Sequence, residues 1–234
     1  MQSTAWQVFA DAATLHMQAT NVILDSARAA ITARSVFRLV LAGGRTPRDV
    51  YARLAQFPVE WKKWQIYFGD ERCLPRGDQQ RNDSMARAAW LDRIAIPAAN
   101  IHSIPAELGP ELGAQRYAEV LATVGSFDLV LLGLGEDGHT ASLFPGQPLG
   151  DTANSAAVLA VHTAPQVLHE RISLSIARLN RTRQAMFLIT GEDKRAALAA
   201  WWSDADIPAA HVAAPQTLVW CDADAAGGLA DVIK

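Results

Sequence analysis

The sequence has few cysteines, no long apolar run and no surplus of basic residues, and each shortage argues against a class of protein. Cys73 and Cys221 lie far apart, so we expect neither a disulfide framework nor a Cys-x-x-Cys metal site. No apolar run reaches the ~18 residues of a membrane span, and the first residues lack a signal-peptide pattern. The net charge of −3 argues against a nucleic-acid surface. We therefore expect a cytoplasmic protein that binds neither membranes nor nucleic acids.

The length and the order of the elements favour one α/β domain over residues 1–234. Half of the 234 residues are hydrophobic, which is ample for one core, and no repeat or linker divides the chain. Strands are predicted at 36–41, 64–69 and 127–132, which are largely apolar runs, and each is followed by a polar loop and helix-compatible sequence. The continuous apolar run Leu129–Leu132 predicts that the last of these strands is buried on both faces. This alternation predicts a three-layer sandwich with a largely parallel sheet and helices on both faces.

Further elements are predicted around these strands. Apolar residues at helical spacing predict a helix over 12–33 with Asp11 as its N-cap. Helices are also predicted to begin at Thr46 as N-cap, near Asn82, at Pro110 and after Gly191, the one from Pro110 ending at Gly125. Strands are predicted at 6–10, 156–161, 171–176, 184–190 and 218–220.

The chemically rich part of the chain is the loop after the third apolar run. Residues 133–146 read Gly-Leu-Gly-Glu-Asp-Gly-His-Thr-Ala-Ser-Leu-Phe-Pro-Gly, with a histidine and two carboxylates among glycines. Ligands bind at the carboxyl edge of such sheets, where this loop should lie. The spacing also matches the Gly-x-Gly-x-x-Gly dinucleotide fingerprint, but Pro145 and Pro148 come too soon for the long helix that the fingerprint needs. We therefore favour an active-site loop.

A second glycine turn follows the first apolar run. Gly43 and Gly44 let the backbone approach a ligand closely, and Thr46 and Pro47 predict the start of a helix, whose free N–H groups attract anions. The Gly-Lys-Ser/Thr ending of a Walker sequence is absent. The turn predicts a phosphate site to which Arg45 adds charge. An ordinary strand-to-helix turn is the alternative.

Four segments together resemble the 6-phosphogluconolactonase family, which is related to glucosamine-6-phosphate deaminases. They are Leu41-Ala-Gly-Gly-Arg-Thr-Pro47, Phe68-Gly-Asp-Glu-Arg72 with Asn82-Asp-Ser84, the loop 133–146, and Arg171-Ile-Ser-Leu with Gly191-Glu-Asp-Lys194. They occur in the family's order and span most of the chain. Many members have Ser where this chain has Arg45, which leaves the role of that residue open.

The resemblance implies hydrolysis of 6-phospho-D-glucono-1,5-lactone to 6-phosphogluconate in the oxidative pentose phosphate pathway. A lactone is an activated ester, so we expect no metal or other cofactor. His139 is then the general base for water, and Asp137 orients its imidazole. Ser142 is a rival nucleophile, but Gly-x-Ser-x-Gly is missing and we prefer water.

The sugar-phosphate lactone is the expected partner, and its binding residues follow from the same resemblance. They are Arg171 and Lys194 for the phosphate, the turn of Gly43, Gly44, Arg45 and Thr46 for N–H donors, and Asp70 and Arg72 beside them. Arg72 either stabilises the oxyanion or binds sugar hydroxyls.

Two other functions are weighed against the lactonase. An isomerase or deaminase of amino sugar phosphates would have a glutamate after Asp-Gly-His, in a segment ending Phe-Asn-Glu-Pro. This chain has Ser142-Leu-Phe-Pro145 instead. A non-catalytic sugar-phosphate sensor of a transcription regulator would need a DNA-binding segment, and no basic N-terminal segment is visible.

Overall fold

A seven-stranded parallel sheet forms the centre of the protein. The computed structural model describes residues 3–165 and 168–233. The strands in this part of the chain are β1 (Ser3–Phe9), β2 (Phe37–Leu41), β3 (Trp64–Phe68), β4 (Asp70–Arg72), β5 (Ile101–His102), β6 (Phe127–Leu132), β7 (Val158–Val161), β8 (Arg171–Leu174), β9 (Thr182–Ile189) and β10 (Gln216–Asp222). The large sheet has the order β1-β10-β9-β6-β2-β3-β5, with every neighbouring pair parallel.

Helices connect these strands. They are α1 (Ala12–Arg34), α2 (Arg45–Leu54), α3 (Asn82–Ala89), α4 (Pro110–Leu121), α5 (Ile176–Leu179), α6 (Arg195–Trp202) and α7 (Ala223–Ala226). Short 3-10 turns lie between them, for example Glu192–Lys194 before α6. Parallel neighbours need such crossovers, so the alternation seen in the sequence dictates this architecture. The expected three-layer α/β sandwich is confirmed. Within the described residues, no helix is both long and apolar enough to cross a membrane.

The predicted central strands are confirmed. The three runs at 36–41, 64–69 and 127–132 form β2, β3 and β6, which lie side by side in the order β6-β2-β3. Every residue of β6 is buried, as expected for a strand covered on both faces. Their carboxyl ends therefore meet at one edge of the sheet, and the three polar loops that follow them meet there too.

The first helix shows how local sequence sets an element. Asp11 caps α1 by accepting the Thr14 N–H at 2.7 Å, and Ser35 ends the helix in the left-handed conformation with φ 61°. One stripe of the helix is buried, consisting of Leu15, Ala19, Thr20, Ile23, Ala27 and Ala30. The helical spacing of these residues explains why the prediction over 12–33 agrees with the structure.

A second, antiparallel sheet was not predicted. It has the order β4-β8-β7, and its register pairs Asp70 with Ser173 and Arg72 with Arg171. The strand predicted at 171–176 stops at Leu174 because Ser175 caps α5, accepting the Arg178 N–H at 3.2 Å. This small sheet brings the polar residues after β3 beside those of β8.

Several predicted boundaries were wrong. Gly44, with φ +100°, is the N-cap of α2, and Thr46 lies inside the helix with its hydroxyl 2.6 Å from that of Thr190. The helix from Pro110 ends at Leu121 rather than at Gly125. The remaining shifts are in the strands predicted at 6–10, 156–161, 184–190 and 218–220, which are β1, β7, β9 and β10 with the bounds given above.

Candidate active site

The loops after β2, β3 and β6 surround one cavity of about 580 Å³. Most of the predicted site residues line it, namely Gly43, Gly44, Asp70, Arg72, Asp137, His139, Arg171 and Lys194. Asn82, Glu136 and Thr140 line the same cavity. Parts of the chain more than 100 residues apart therefore meet where the sheet topology predicts a ligand site.

Two predicted residues do not reach the cavity lining. Arg45 is the first residue of α2, and it is exposed. The hydroxyl of Thr46 is hydrogen-bonded to the hydroxyl of Thr190. The role of Arg45 and Thr46 in a phosphate site therefore stays a prediction, while Gly43 and Gly44 of the same turn line the cavity.

The shape of the histidine loop depends on two of its glycines. The Gly135 N–H donates to the His139 carbonyl at 2.8 Å, and the Gly138 N–H donates to the Gly135 carbonyl at 3.0 Å. Gly138 has φ +86°, a conformation that favours glycine. A Cβ on Gly135 would lie 1.9 Å from His139 Nδ1. The loop therefore folds tightly around the imidazole.

Asp137 holds the imidazole of His139. Its Oδ1 lies 2.5 Å from His139 Nδ1 and also accepts the His139 backbone N–H at 3.0 Å. The Phe144 ring, with its centroid 4.7 Å from that of the imidazole, supports it on another side. Burial raises the pKa of Asp137, but the hydrogen bonds from the backbone and ring of His139 outweigh burial and leave the pKa below its usual value. An ionised Asp137 on Nδ1 leaves Nε2 as the nitrogen available to accept a proton.

The position of Ser142 disfavours it as a nucleophile. Its hydroxyl is buried and donates to Asp70 Oδ2 at 2.6 Å, and its N–H donates to Ser173 Oγ at 3.3 Å. Ser142 is not among the residues that line the cavity. The hydroxyl thus anchors a carboxylate, rather than pairing with His139 as a serine triad requires.

Basic side chains form another part of the cavity lining. Arg171 is buried, its Nε donates to the Leu168 carbonyl at 3.1 Å, and burial lowers its pKa. The Lys194 ammonium lies 3.0 Å from Asp193 Oδ2, and this hydrogen bond lowers the pKa of Asp193. Arg72 Nη1 donates to the Gln80 carbonyl, while its Nε is buried with no hydrogen-bond partner among the described residues. This concentration of cations suits an anionic group of a ligand.

Asn82 is the site residue that sequence reasoning missed. Its Nδ2 donates to Asp70 Oδ1 at 3.1 Å and to the Asp70 carbonyl at 3.0 Å. A Cβ on Gly43 would lie 2.1 Å from Asn82 Oδ1, so Gly43 makes room for Asn82 as well as for a ligand. Its signal in the sequence is the Asn82-Asp-Ser84 segment, which predicts a helix start and carries part of the family resemblance.

Glu71 lies directly behind the cavity wall and is fully buried. Its carboxylate accepts the backbone N–H groups of Arg72 at 2.9 Å, Asn82 at 2.7 Å and Asp83 at 2.9 Å. Burial raises the pKa of Glu71 to about 7, although these N–H donors oppose the effect.

In the described residues, no group of three or more His, Cys, Asp or Glu side chains is arranged to hold a metal ion.

The raised pKa of Glu71 predicts that its contribution to stability falls as the pH rises from 4.5 to about 7. In that range the folded protein retains a proton that the unfolded chain has released, so raising the pH favours unfolding by at most ~1.4 kcal/mol per pH unit. Urea unfolding of the parent and of Glu71→Gln at several pH values measures this effect. We expect the variant to gain stability relative to the parent as the pH rises. A difference that stays constant with pH would contradict the prediction.

The chain is similar to known proteins over most of its length. The family described as "Glucosamine-6-phosphate isomerases/6-phosphogluconolactonase" matches residues 10–220. A 6-phosphogluconolactonase of Synechocystis sp. is 38% identical over 207 residues, covering 82% of this chain and 83% of the relative. One of Nostoc sp. is 32% identical over 235 residues, covering 95% and 96%.

A solved structure has the same fold. The crystal structure of 6-phosphogluconolactonase from Thermotoga maritima is 27% identical, matches with a TM-score of 0.86, and covers 94% of this chain and 100% of that one. The match of the family to most of the chain, together with these relatives, leads to one conclusion. The chain belongs to the glucosamine-6-phosphate isomerase/6-phosphogluconolactonase family.

Proposed function

We propose that this chain hydrolyses 6-phospho-D-glucono-1,5-lactone to 6-phosphogluconate, the second step of the oxidative pentose phosphate pathway. The observation that carries the proposal is the His139–Asp137 pair in a cavity also lined by Arg171 and Lys194. A base and an anion site in one cavity suit a substrate that is both an ester and a phosphate. The relatives at 38% and 32% identity carry the name of this activity.

The base in this proposal is His139. Its Nε2 takes a proton from water while the water oxygen attacks the C1 carbonyl of the lactone. The resulting tetrahedral anion collapses by breaking the bond between C1 and the ring oxygen. The ring oxygen takes the proton back from Nε2 and leaves as a hydroxyl group. Asp137 keeps its place on Nδ1 throughout and stabilises the imidazolium that forms between the two proton transfers.

The other cavity residues hold the substrate in this proposal. Arg171 and Lys194 bind the 6-phosphate, and the N–H groups of Gly43 and Gly44 can add donors to it. Asp70 accepts from sugar hydroxyls, because its carboxylate lines the cavity while its own partners are Ser142 and Asn82. Arg72 serves either the developing oxyanion or a hydroxyl.

The proposal is tested by a coupled assay. Glucose-6-phosphate dehydrogenase generates the lactone in situ, and its disappearance is followed with and without the protein, because spontaneous hydrolysis sets the background. We expect faster disappearance that a chelator does not abolish. Glucosamine 6-phosphate, assayed for release of ammonia, is the counter-substrate. Ammonia release without lactone hydrolysis would replace this proposal with the deaminase.

The phosphate site gives a prediction for two variants. Arg171→Ala and Lys194→Ala should each raise KM, because each removes a charged hydrogen bond that contributes about 1.5–3 kcal/mol. Steady-state kinetics measure the change, and inorganic phosphate should compete with the substrate. Arg195→Ala is the matched control, since Arg195 follows Lys194 but pairs with Glu192 away from the cavity. Unchanged KM in both test variants would remove these residues from the site.

We also propose that residues 1–234 act as one unit in the cytoplasm. One continuous core runs from Phe9 in β1 to Ala226 in α7, so removing either end would open it. A single cooperative unfolding transition, together with lactonase activity in the cytoplasmic fraction, is the expected result. Two separate transitions would contradict the single unit.

A further inference from the structure

The helix α3 lacks an N-cap of its own. The residue before it, Arg81, makes no side-chain capping bond to the helix. The first N–H groups of a helix need acceptors, since they have no partner within it. Glu71, on β4, supplies them by accepting the N–H groups of Asn82 at 2.7 Å and Asp83 at 2.9 Å. A carboxylate from a neighbouring strand therefore fixes the first turn of this helix.

That first turn is linked by hydrogen bonds to the cavity. Asn82 Nδ2 donates to Asp70 Oδ1 at 3.1 Å, and Asp70 Oδ2 accepts the Ser142 hydroxyl at 2.6 Å. Asn82 and Asp70 line the cavity, and Ser142 belongs to the loop 133–146 that carries His139. Glu71 itself does not line the cavity. A continuous path thus runs from a buried carboxylate, through the cap of α3, to a carboxylate that faces the substrate.

The buried carboxyl group of Glu71 lies beside a buried cation, Arg81. The Arg81 side chain is 1% exposed, and its Nε lies 3.7 Å from Glu71 Oε2. The same guanidinium holds Asp83 at 2.9 and 3.1 Å and Glu107 at 3.1 Å. Arg81 also donates to the carbonyls of Leu74 and Ile104. Such a network fixes geometry because few of its members can move without leaving a buried charge unpaired.

We infer that Glu71 is a positioning residue of the lactone site, which acts by fixing the first turn of α3 and so the place of Asn82 and the Asp70 carboxylate. The inference rests on the proposed function. Asp70 binds the sugar and takes no part in the proton transfer, so loss of Glu71 should weaken substrate binding more than turnover. Loss of the base, His139, should have the opposite pattern, with a lower kcat and little change in KM.

Two variants of Glu71 test the inference. In Glu71→Ala the first turn of α3 loses its acceptors, so KM should rise by about 10–100-fold, the size of one lost hydrogen bond to a charged group, with kcat much less affected. Glu71→Gln keeps one carbonyl oxygen for the Arg72 and Asn82 N–H groups but places an amide against the Asp83 N–H. It should raise KM less than Glu71→Ala does.

The matched control is Asp128→Asn. Asp128 is also a buried carboxylate that accepts a backbone N–H, that of Arg38 at 2.8 Å, and it pairs with Arg34 at 2.6 Å. It lies at the start of β6, away from the cavity. Its loss should lower stability and leave KM unchanged. A purely structural role for Glu71 would give the same result.

Hydrogen exchange provides a readout that does not depend on activity. The Asn82 and Asp83 amides should both exchange faster in Glu71→Ala than in the parent and in Asp128→Asn, whereas in Glu71→Gln the faster exchange should be confined to Asp83. If Glu71→Ala does not fold, Glu71→Gln decides alone. Two results would overturn the inference. One is a KM equal to that of the parent in a Glu71 variant whose Asp83 amide exchanges faster, and the other is an Asp83 amide that exchanges no faster in the variants than in the parent. If the parent chain does not hydrolyse the lactone, the proposed function fails, and the exchange rates still test the cap.

Discussion

His139→Ala should lower kcat by about 10²–10⁴-fold, the usual contribution of a general base, with little change in KM. The imidazole lines the cavity with its Nδ1 held by Asp137, so its loss removes the proton acceptor without removing a phosphate contact. The protein should still fold, because the side chain of His139 is 17% exposed and lies on a loop. Steady-state kinetics with thermal unfolding of the same sample measure both expectations. A folded and fully active variant would refute the mechanism.

Two companion variants separate the roles around His139. Asp137→Asn should have a smaller or comparable effect, since an amide can hold the ring but cannot stabilise the imidazolium. Ser142→Ala should remain active, because its hydroxyl is bonded to Asp70 and water is the proposed nucleophile. A folded but inactive Ser142→Ala, with an acyl-enzyme trapped in the parent, would transfer the reaction to a covalent route.

The pH dependence follows from the same base. A histidine accepts a proton only when it is neutral, so activity should fall as the pH drops through the range in which imidazoles become protonated. The pKa of Asp137 lies below its usual value, so this carboxylate stays ionised across that range. If the residual activity of His139→Ala falls at acid pH as the activity of the parent does, the pH dependence arises from another group.

The sheet could be predicted because its signal is local. Leu129–Leu132 is a continuous apolar run, and the glycines and polar residues after it mark where the strand ends. The parallel order then follows from the helices between the strands. The pairing of Asp137 with His139 could also be predicted from the sequence. The two residues lie two positions apart in one glycine-rich loop, so their side chains cannot be far from each other.

The parts that were missed depend on contacts across the chain. The strand Asp70–Arg72 is short and polar, and it is a strand because it pairs with Arg171–Leu174, about 100 residues later. Asn82 reaches the cavity because a buried glutamate, Glu71, fixes its helix from another strand. Neither relation leaves a periodic pattern in the sequence. The start of α2 was predicted wrongly for a simpler reason, since Gly44 and not Thr46 is the N-cap of this helix.

Gly135 lies so close to the imidazole of His139 that a substitution at this glycine should impair catalysis, although Gly135 itself has no catalytic side chain. A Cβ at this position would lie 1.9 Å from Nδ1 and 2.2 Å from Cε1 of His139. The backbone of Gly135 is not in the left-handed region, so alanine fits its conformation and only the contact with the ring is forbidden. The imidazole must therefore move, and its 2.5 Å contact with Asp137 must break.

Gly135→Ala should accordingly lower kcat by about 10²-fold or more, the cost of displacing a catalytic group by an ångström, while the fold is retained. The ring is expected to move instead of the sheet, because β6 ahead of the loop is fully buried and His139 is not. Gly125→Ala is the matched control, since Gly125 precedes the same strand and a Cβ there meets no atom within 4 Å. Kinetics, thermal unfolding and the NMR signals of the His139 ring measure the result. Parent-level kcat in a folded Gly135→Ala, with an unchanged ring signal, would show that the imidazole has more room than this geometry allows.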